Sequence, residues 1–247
     1  MLIITWIISA IFAISGLGAA TPLIPIYYSL GIPFSIAAAS GLLLNVLSLS
    51  SASFNNTRHN YILWKTGTTF MIPAVVMAPI GAIVGAHTPD FILLVIFTLF
   101  LSYTLYNLIT SQKRQKRSKE MTSINAILVG IGIGGIAGFL GGLLGVGGGL
   151  IILPVLTFME GDFKKIAGTT AYIALFSSMS GFISYLLILH GINYILWIAV
   201  LLGGAIGGIT GSALMHRFNS KNVRILIIII VVFILAKTAY SLIAIYT

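Results

Sequence analysis

Cysteine is absent from this 247-residue chain, which excludes disulfides, thiol redox couples and cysteine-based zinc sites. Acid is nearly absent too. Asp90, Glu120, Glu160 and Asp162 are the only carboxylates, and all four fall in predicted loops or segment ends, so none lies mid-segment to carry a proton. Glu160 and Asp162 are left only a vestibule role. The histidines His59, His87, His190 and His216 sit near segment ends at no metal-ligand spacing. With no carboxylate pair and no nucleophile–base set either, no enzyme, no metal site and no cofactor is expected. No Gly-Lys-Ser/Thr follows a glycine run, and Gly132-x-Gly134-x-x-Ala137 has no βαβ context, so nucleotide-binding loops are excluded.

Charge as a whole is scarce: 7% of residues are charged and 58% hydrophobic, whereas soluble domains carry about a quarter charged residues. Apolar segments cover 2–30 (broken at 15–22), 35–56, 62–86, 91–110, 123–160 (broken at 141–149), 164–189, 194–215 and 223–246, most near the length that spans a bilayer. Helix is the expected state, because backbone groups in lipid must be satisfied within the segment and no strand alternation is present. Gly31-Ile32-Pro33, His87-Thr88-Pro89-Asp90 and Asn219-Ser220-Lys221 read as turns. The apolar run Leu2–Ile14 has no basic residues before it and no good cleavage site, so it reads as structure and not as a signal peptide. Five of the thirteen basic residues lie in Lys113–Lys119 with no interleaved aromatics. That pattern is a cytoplasmic topology signal with secondary contact to anionic membrane lipid; no nucleic acid is expected.

The chain carries nearly the same segment twice. Gly145-Val146-Gly147-Gly148-Gly149 with Pro154 answers Gly16-Leu17-Gly18-Ala19-Ala20 with Pro25, at an offset of 129 residues. At that offset Ala38-Ala39-Ser40 faces Ala167-Gly168-Thr169, and Ser48 and Ser51 face Ser177 and Ser180. After a four-residue slip, Asn60-Tyr61-Ile62-Leu63-Trp64 recurs letter for letter as Asn193–Trp197. If every broken segment crossed fully, Lys164, Lys165, Arg217, Lys221 and Arg224 would lie outside with the linker inside. If each instead enters and returns on one side, every basic residue except Lys237 is cytoplasmic, twelve of thirteen. The expected fold is therefore an all-α polytopic membrane protein of two homologous halves. These are inverted repeats, 1–112 and 123–247, each a Gly/Pro-broken hairpin plus three transmembrane helices. The basic linker 113–122 joins them, and the location is a multi-pass prokaryotic plasma membrane with 113–119 cytoplasmic.

Duplicated apolar halves with matching broken segments point to a transporter, with its site at the breaks. Half-helix N-termini at such breaks offer free N–H groups and a positive dipole end to an anion. The candidates are Gly16, Gly18, Thr21 and Pro25 in one half, and Gly145, Gly147, Gly148, Gly149 and Pro154 in the other. Gly130, Gly134, Gly138 and Gly142, and likewise Gly203, Gly207 and Gly211, fit close helix packing instead. Ser48 and Ser51, with Thr169, Thr170, Ser177 and Ser180, lie on the helices that follow the breaks, where neutral hydroxyls can donate to an oxyanion. Asn45 and Tyr172 are weaker candidates of the same kind. Lys237 is the only ionisable residue deep in a predicted span, balanced between an anion route and snorkelling to the interface.

The run Gly142-Leu143-Leu144-Gly145-Val146-Gly147-Gly148-Gly149-Leu150-Ile151-Ile152-Leu153-Pro154 resembles the signature of the sulfite exporter TauE/SafE family. Ala167-Gly168-Thr169-Thr170, the aromatic turn Asn193–Trp197 and the first-half copy of the same plan are similar to that family too, across essentially the whole chain. The resemblance implies a membrane transporter of about eight hydrophobic segments that moves small anions bearing sulfur or carboxylate groups, such as sulfite or sulfoacetate. It also implies that Gly145, Gly147, Gly148, Gly149 and Pro154 shape the substrate-side break. The first half departs from the family pattern at Gly16-Leu17-Gly18-Ala19-Ala20-Thr21, where added methyl groups narrow the backbone approach and Thr21 adds a hydroxyl.

The expectation is a secondary transporter of a small anion that binds between the repeats, with alternating access by rocking one half against the other. A scaffold whose glycines serve packing alone, and a passive anion channel, are the alternatives. Gly148→Leu is expected to abolish transport and leave a folded protein. The sequence leaves the oligomeric state open, a homo-oligomer included, as it does the anion, the direction and the coupling ion.

Overall fold

The computed structural model describes residues 5–10, 20–110, 123–159, 162–189, 197–198, 200, 202–207, 210, 225, 228–229 and 231–239. Among them every regular element is a helix. The principal ones are α1 (Ala20–Ser29), α2 (Phe34–Arg58), α3 (Trp64–His87), α4 (Asp90–Thr110), α5 (Ser123–Leu144), α6 (Gly149–Met159) and α7 (Phe163–Ile188). Five are long and apolar enough to cross a membrane: Phe34–Arg58, Trp64–His87, Asp90–Asn107, Ile127–Leu144 and Lys164–Ile188. Large apolar side chains face outward on them, among them Ile72, Val76, Leu99, Leu128 and Leu187. A polytopic membrane protein needs such a lipid-facing surface.

Local chemistry sets the boundaries. Gly31, with φ +82°, turns the chain before Pro33, and α2 begins directly after that proline. Pro89 precedes α4, where its fixed φ and missing N–H suit a helix start. The two described acids both serve helix N-termini. Asp162 accepts the Lys164 N–H at 2.9 Å and caps α7. Asp90 opens α4 and accepts the Phe34 N–H of α2 at 3.2 Å.

Helix directions follow from which residues meet. Gly134 packs on Phe70, Gly138 on Ala74 and Gly142 on Ala78, so α5 runs parallel to α3. A Cβ at Gly138 would lie 2.5 Å from Ala74 Cα. The stripe at 130, 134, 138 and 142 is therefore a close-packing seam, as small-residue spacing predicts. Thr169 meets Leu63, Ser180 meets Val75 and Tyr185 approaches Gly85, so α7 also runs with α3. By contrast, Leu42 meets Gly181 and Asn45 meets Ser178, so α2 and α7 are antiparallel.

These directions give the bundle two faces. Phe34 and Asp90 mark one; the α2–α3 turn and the start of α7 mark the other. Thr5 Oγ1 lies 3.1 Å from Tyr27 Oη, so both arms of the first broken segment open to the Phe34 face. α5 rises from the opposite face, and α6 leads back within a few residues to the start of α7 there. Arg58, Lys65, Lys164 and Lys165 share that second face. The linker 113–119 lies outside the described residues.

Proline does not always break a helix here. Pro73 and Pro79 lie inside the continuous α3. Pro79 has no N–H for the Val75 carbonyl four residues back, and Ser180 Oγ of α7 donates to that oxygen at 2.8 Å instead.

Candidate functional site

α2 runs past both breaks. Its residues 37–45 are buried on every side, and Ala38, Gly41 and Asn45 recur at helical spacing on one face. The chain reverses between α5 and α6 through Gly145, Gly147 and Gly148, with φ of +78°, +71° and +74°. That left-handed backbone is unstrained only for glycine. The turn seats against α2: a Cβ at Gly145 would lie 2.6 Å from the Ala38 carbonyl oxygen, and one at Gly41 would lie 3.0 Å from the Gly145 oxygen. A Cβ at Gly148 would lie 2.5 Å from the Ala137 carbonyl oxygen. This corrects one expectation: Gly148→Leu would distort the hairpin itself, so it cannot separate transport from folding.

Asn45 joins the breaks. Fully buried, it accepts the Ala20 N–H on Oδ1 at 3.2 Å. Its Nδ2 donates to the Val146 carbonyl at 3.1 Å and stands 3.4 Å from Ser178 Oγ. Ala20 opens α1 and Val146 sits inside the glycine turn, so one side chain holds both broken segments. Because Ala20 can only donate and Val146 can only accept, the partners fix which end of the amide is which. From sequence alone Asn45 is a weaker candidate than the hydroxyls. Its one readable signal was a lone carboxamide in an otherwise apolar and hydroxylic stretch.

The two half-helices correspond, but their N-termini differ. Pro25 is the sixth residue of α1 and Pro154 the sixth of α6. At α1 the Ala20 N–H is occupied by Asn45, and Pro22 has no N–H to offer. At α6, Gly148 O accepts from Ile151 N at 3.1 Å and Ile152 N at 3.3 Å. Among the described residues, no acceptor faces the N–H groups of Gly149 and Leu150. Free donors are therefore found at the second break. Gly16 and Gly18 lie outside the described residues.

The hydroxyl candidates separate into classes. Thr169 accepts the Leu63 N–H at 2.9 Å, where it closes the start of α3. Ser48 is buried with a long 3.5 Å contact to the Asn45 carbonyl, and Ser51 is half-buried. Most other membrane hydroxyls bond back to their own helix, as Ser40 does to Ile36 and Thr104 to Phe100. Thr21, Thr170 and Ser177 do not. Each is buried, and its oxygen has no partner among the described residues. Ser9 and Ser53 share that condition, and the antiparallel register of α2 and α7 sets Ser53 at the level of Thr170. Tyr172 packs edge-on against Trp64 and Phe176, with ring centroids 5.3 and 5.2 Å away.

Lys237 is not at the breaks. Its Nζ donates to Ser29 Oγ at 2.8 Å, at the C-terminal end of α1, about 14 Å along the helix from Ala20. A cation suits that end of a helix dipole.

The hairpin is sealed in this conformation: residues 141–152 are buried without interruption. Donors and hydroxyls enclosed in this way, with no charged side chain among them, suit a small anion held by dipoles.

The profile of the family described as "Sulfite exporter TauE/SafE" matches residues 1–238. "Probable membrane transporter protein MJ0441" of Methanocaldococcus jannaschii is 27% identical over 228 residues, 88% of this chain and 84% of the relative. "Probable membrane transporter protein YunE" of Bacillus subtilis is 32% identical over 114 residues, 46% of this chain and only 41% of that relative's length. No solved structure matches.

Proposed function

The chain belongs to the sulfite exporter TauE/SafE family, a family of membrane transporters, and from that membership we propose a secondary transporter of a small sulfur-containing oxyanion or organosulfonate. The anion binds at the second break, on the N–H groups of Gly149 and Leu150, with Thr21 and Ser177 as hydroxyl donors. The two halves act as inverted repeats, and alternating access follows from rocking one against the other. Two contacts support the inverted relation. The helices that follow the two breaks, α2 and α7, pack antiparallel. They also meet at Asn45 and Ser178, which correspond at the offset that aligns Asn60–Trp64 with Asn193–Trp197. The linker 113–119 is cytoplasmic in this reading, and the sealed hairpin is an occluded state that suits a carrier better than an open channel.

The observation that carries the reading is the set of buried, unpartnered hydroxyls beside a half-helix with free N–H groups. Buried polar atoms are normally paired, and an oxyanion bound at the turn supplies acceptors to the hydroxyls within its reach, Thr21 and Ser177, whereas Thr170 lies about 10 Å of helix rise from Ser177. A hydroxyl kept for a ligand has a distinctive signature. Its removal does not weaken the empty protein, because no protein hydrogen bond is lost, yet it weakens binding. The test is thermal stabilisation of the detergent-purified protein by sulfite, sulfate, thiosulfate, sulfoacetate, taurine, acetate and chloride, since binding to the folded state raises apparent stability. Ser177→Ala and Thr21→Val should keep or raise the ligand-free melting temperature and shrink the shift given by a sulfur oxyanion or sulfonate. Full-sized shifts in both variants would remove these hydroxyls from the site.

A further inference from the structure

We propose that Asn45 is a positioning residue for the transported anion: its carboxamide orients the Val146–Gly147 peptide so that the second break presents donors, and not an acceptor, to the ligand. This rests on the small-anion reading above. The Val146–Gly147 peptide is held at both ends. Its oxygen accepts from Asn45 Nδ2 at 3.1 Å, and its N–H donates to the Gly141 carbonyl at 3.2 Å. With the Val146 oxygen turned onto Asn45, an acceptor of the turn is withdrawn from the N–H groups of Gly149 and Leu150. If that oxygen were released, it would compete with an anion for those same donors, since Leu150 N–H is the group that an uninterrupted helix would return to it.

Asn45 is also the link between this peptide and the first break. The Ala20 N–H on Oδ1 fixes the amide and leaves the Nδ2 end toward the glycine turn. A β-carbon at Gly147 would lie 2.8 Å from that nitrogen, so the turn is built close against it. A merely space-filling residue at position 45 would need neither end of a carboxamide.

Asn45→Asp keeps the size and tests the polarity. As a carboxylate it still accepts from Ala20 but has no proton for Val146. As a neutral acid it donates there again. No other titrating group is close in sequence on the elements packed around position 45. α2 has none between Phe34 and Asn56, and 127–157 and 202–207 have none. α1 carries Tyr27 and Tyr28, and α7 carries Lys164 and Lys165 at its start, then Tyr172 and Tyr185.

The experiment measures sulfoacetate binding to the purified full chain by thermal shift titration between about pH 9 and about pH 5.5, above the range of an ordinary carboxylate. Wild type should bind with nearly constant affinity across this range. Asn45→Asp should bind at least tenfold more weakly wherever its carboxyl is ionised and recover most of the loss wherever it is neutral. Asn45→Leu, which offers no donor at any pH, should bind at least tenfold more weakly throughout. Wild-type affinity in Asn45→Leu overturns the proposal. Where that variant does not fold, Asn45→Ala, which also lacks a donor at any pH, replaces it, and wild-type affinity there overturns the proposal. If wild type itself gives no sulfoacetate shift, the substrate reading fails first and takes this role with it. A wild-type shift retained by the variants defeats Asn45 alone.

Discussion

The Ser180 hydroxyl on the Val75 carbonyl permits a prediction that isolates one hydrogen bond. Pro79 supplies no N–H to Val75, and Ser180 Oγ fills the vacancy at 2.8 Å from the neighbouring helix. Ser180→Ala therefore leaves a carbonyl without its donor in a setting where water is scarce. Interhelical hydrogen bonds in membranes are worth about 0.6 kcal/mol on average and up to about 1.7, and an orphaned buried acceptor adds to the loss. The expected cost is about 1–2 kcal/mol. Pro79→Ala restores an N–H at position 79 that can take the Val75 oxygen within α3. In that background Ser180→Ala should cost below about 0.5 kcal/mol, which leaves a coupling energy near 1 kcal/mol. Reversible unfolding of the four proteins in mixed micelles with increasing SDS gives all the terms of the cycle. An equal cost for Ser180→Ala in both backgrounds would refute the argument that proline created the vacancy.

Three further outcomes follow from the geometry. Gly148→Ala should strongly reduce folded protein, since φ is +74° and the Cβ would press on the Ala137 oxygen at 2.5 Å. The left-handed backbone alone costs about 1–2 kcal/mol, and the yield of monodisperse protein on size-exclusion chromatography reads it. Thr169→Val removes the acceptor of the Leu63 N–H at 2.9 Å and should cost about 1 kcal/mol, the usual worth of a helix-start hydroxyl. Thr169→Ser should restore most of it in the same unfolding assay. Lys237→Met should leave anion-induced thermal shifts within experimental scatter, because the ammonium serves Ser29 and the far end of α1; a lost shift would return Lys237 to the substrate route.

Much of this architecture is legible from run length and punctuation. The apolar segment 62–86 is α3 at Trp64–His87, and 164–189 is α7 at Phe163–Ile188, because lipid thickness and helix rise leave little latitude. The glycine run at 145–149 was readable as a break, because three left-handed residues within four positions demand glycine. The same logic misjudges proline unless the neighbours are known. Pro154 follows a broken segment, yet Pro73 and Pro79 lie inside the continuous α3, and at Pro79 another helix donates to the freed carbonyl. The serine recurrence at 51 and 180 is similarly double-edged. Ser180 answers Pro79, but 194–215, the segment that corresponds to α3, contains no proline, so Ser51 has no matching task there. Asn45 was legible only as an amide in an apolar helix. Its partners lie 25, 101 and 133 residues away, and no local pattern encodes distances of that kind. The bond of Thr169 to Leu63 was hidden for the same reason, since Leu63 lies 106 residues away.

The central claim is carrier-type transport of a small sulfur-containing anion through the second break, and counterflow in proteoliposomes tests it most directly. Vesicles loaded with unlabelled sulfite are diluted into trace labelled sulfite, and the same is done with sulfoacetate. The account predicts a transient overshoot of internal label for at least one of them in wild type, and a much smaller one in the Ser177→Ala, Thr21→Val double variant. Uptake that never exceeds equilibrium would mark a passive channel. No uptake of either anion by folded, reconstituted protein would contradict the account.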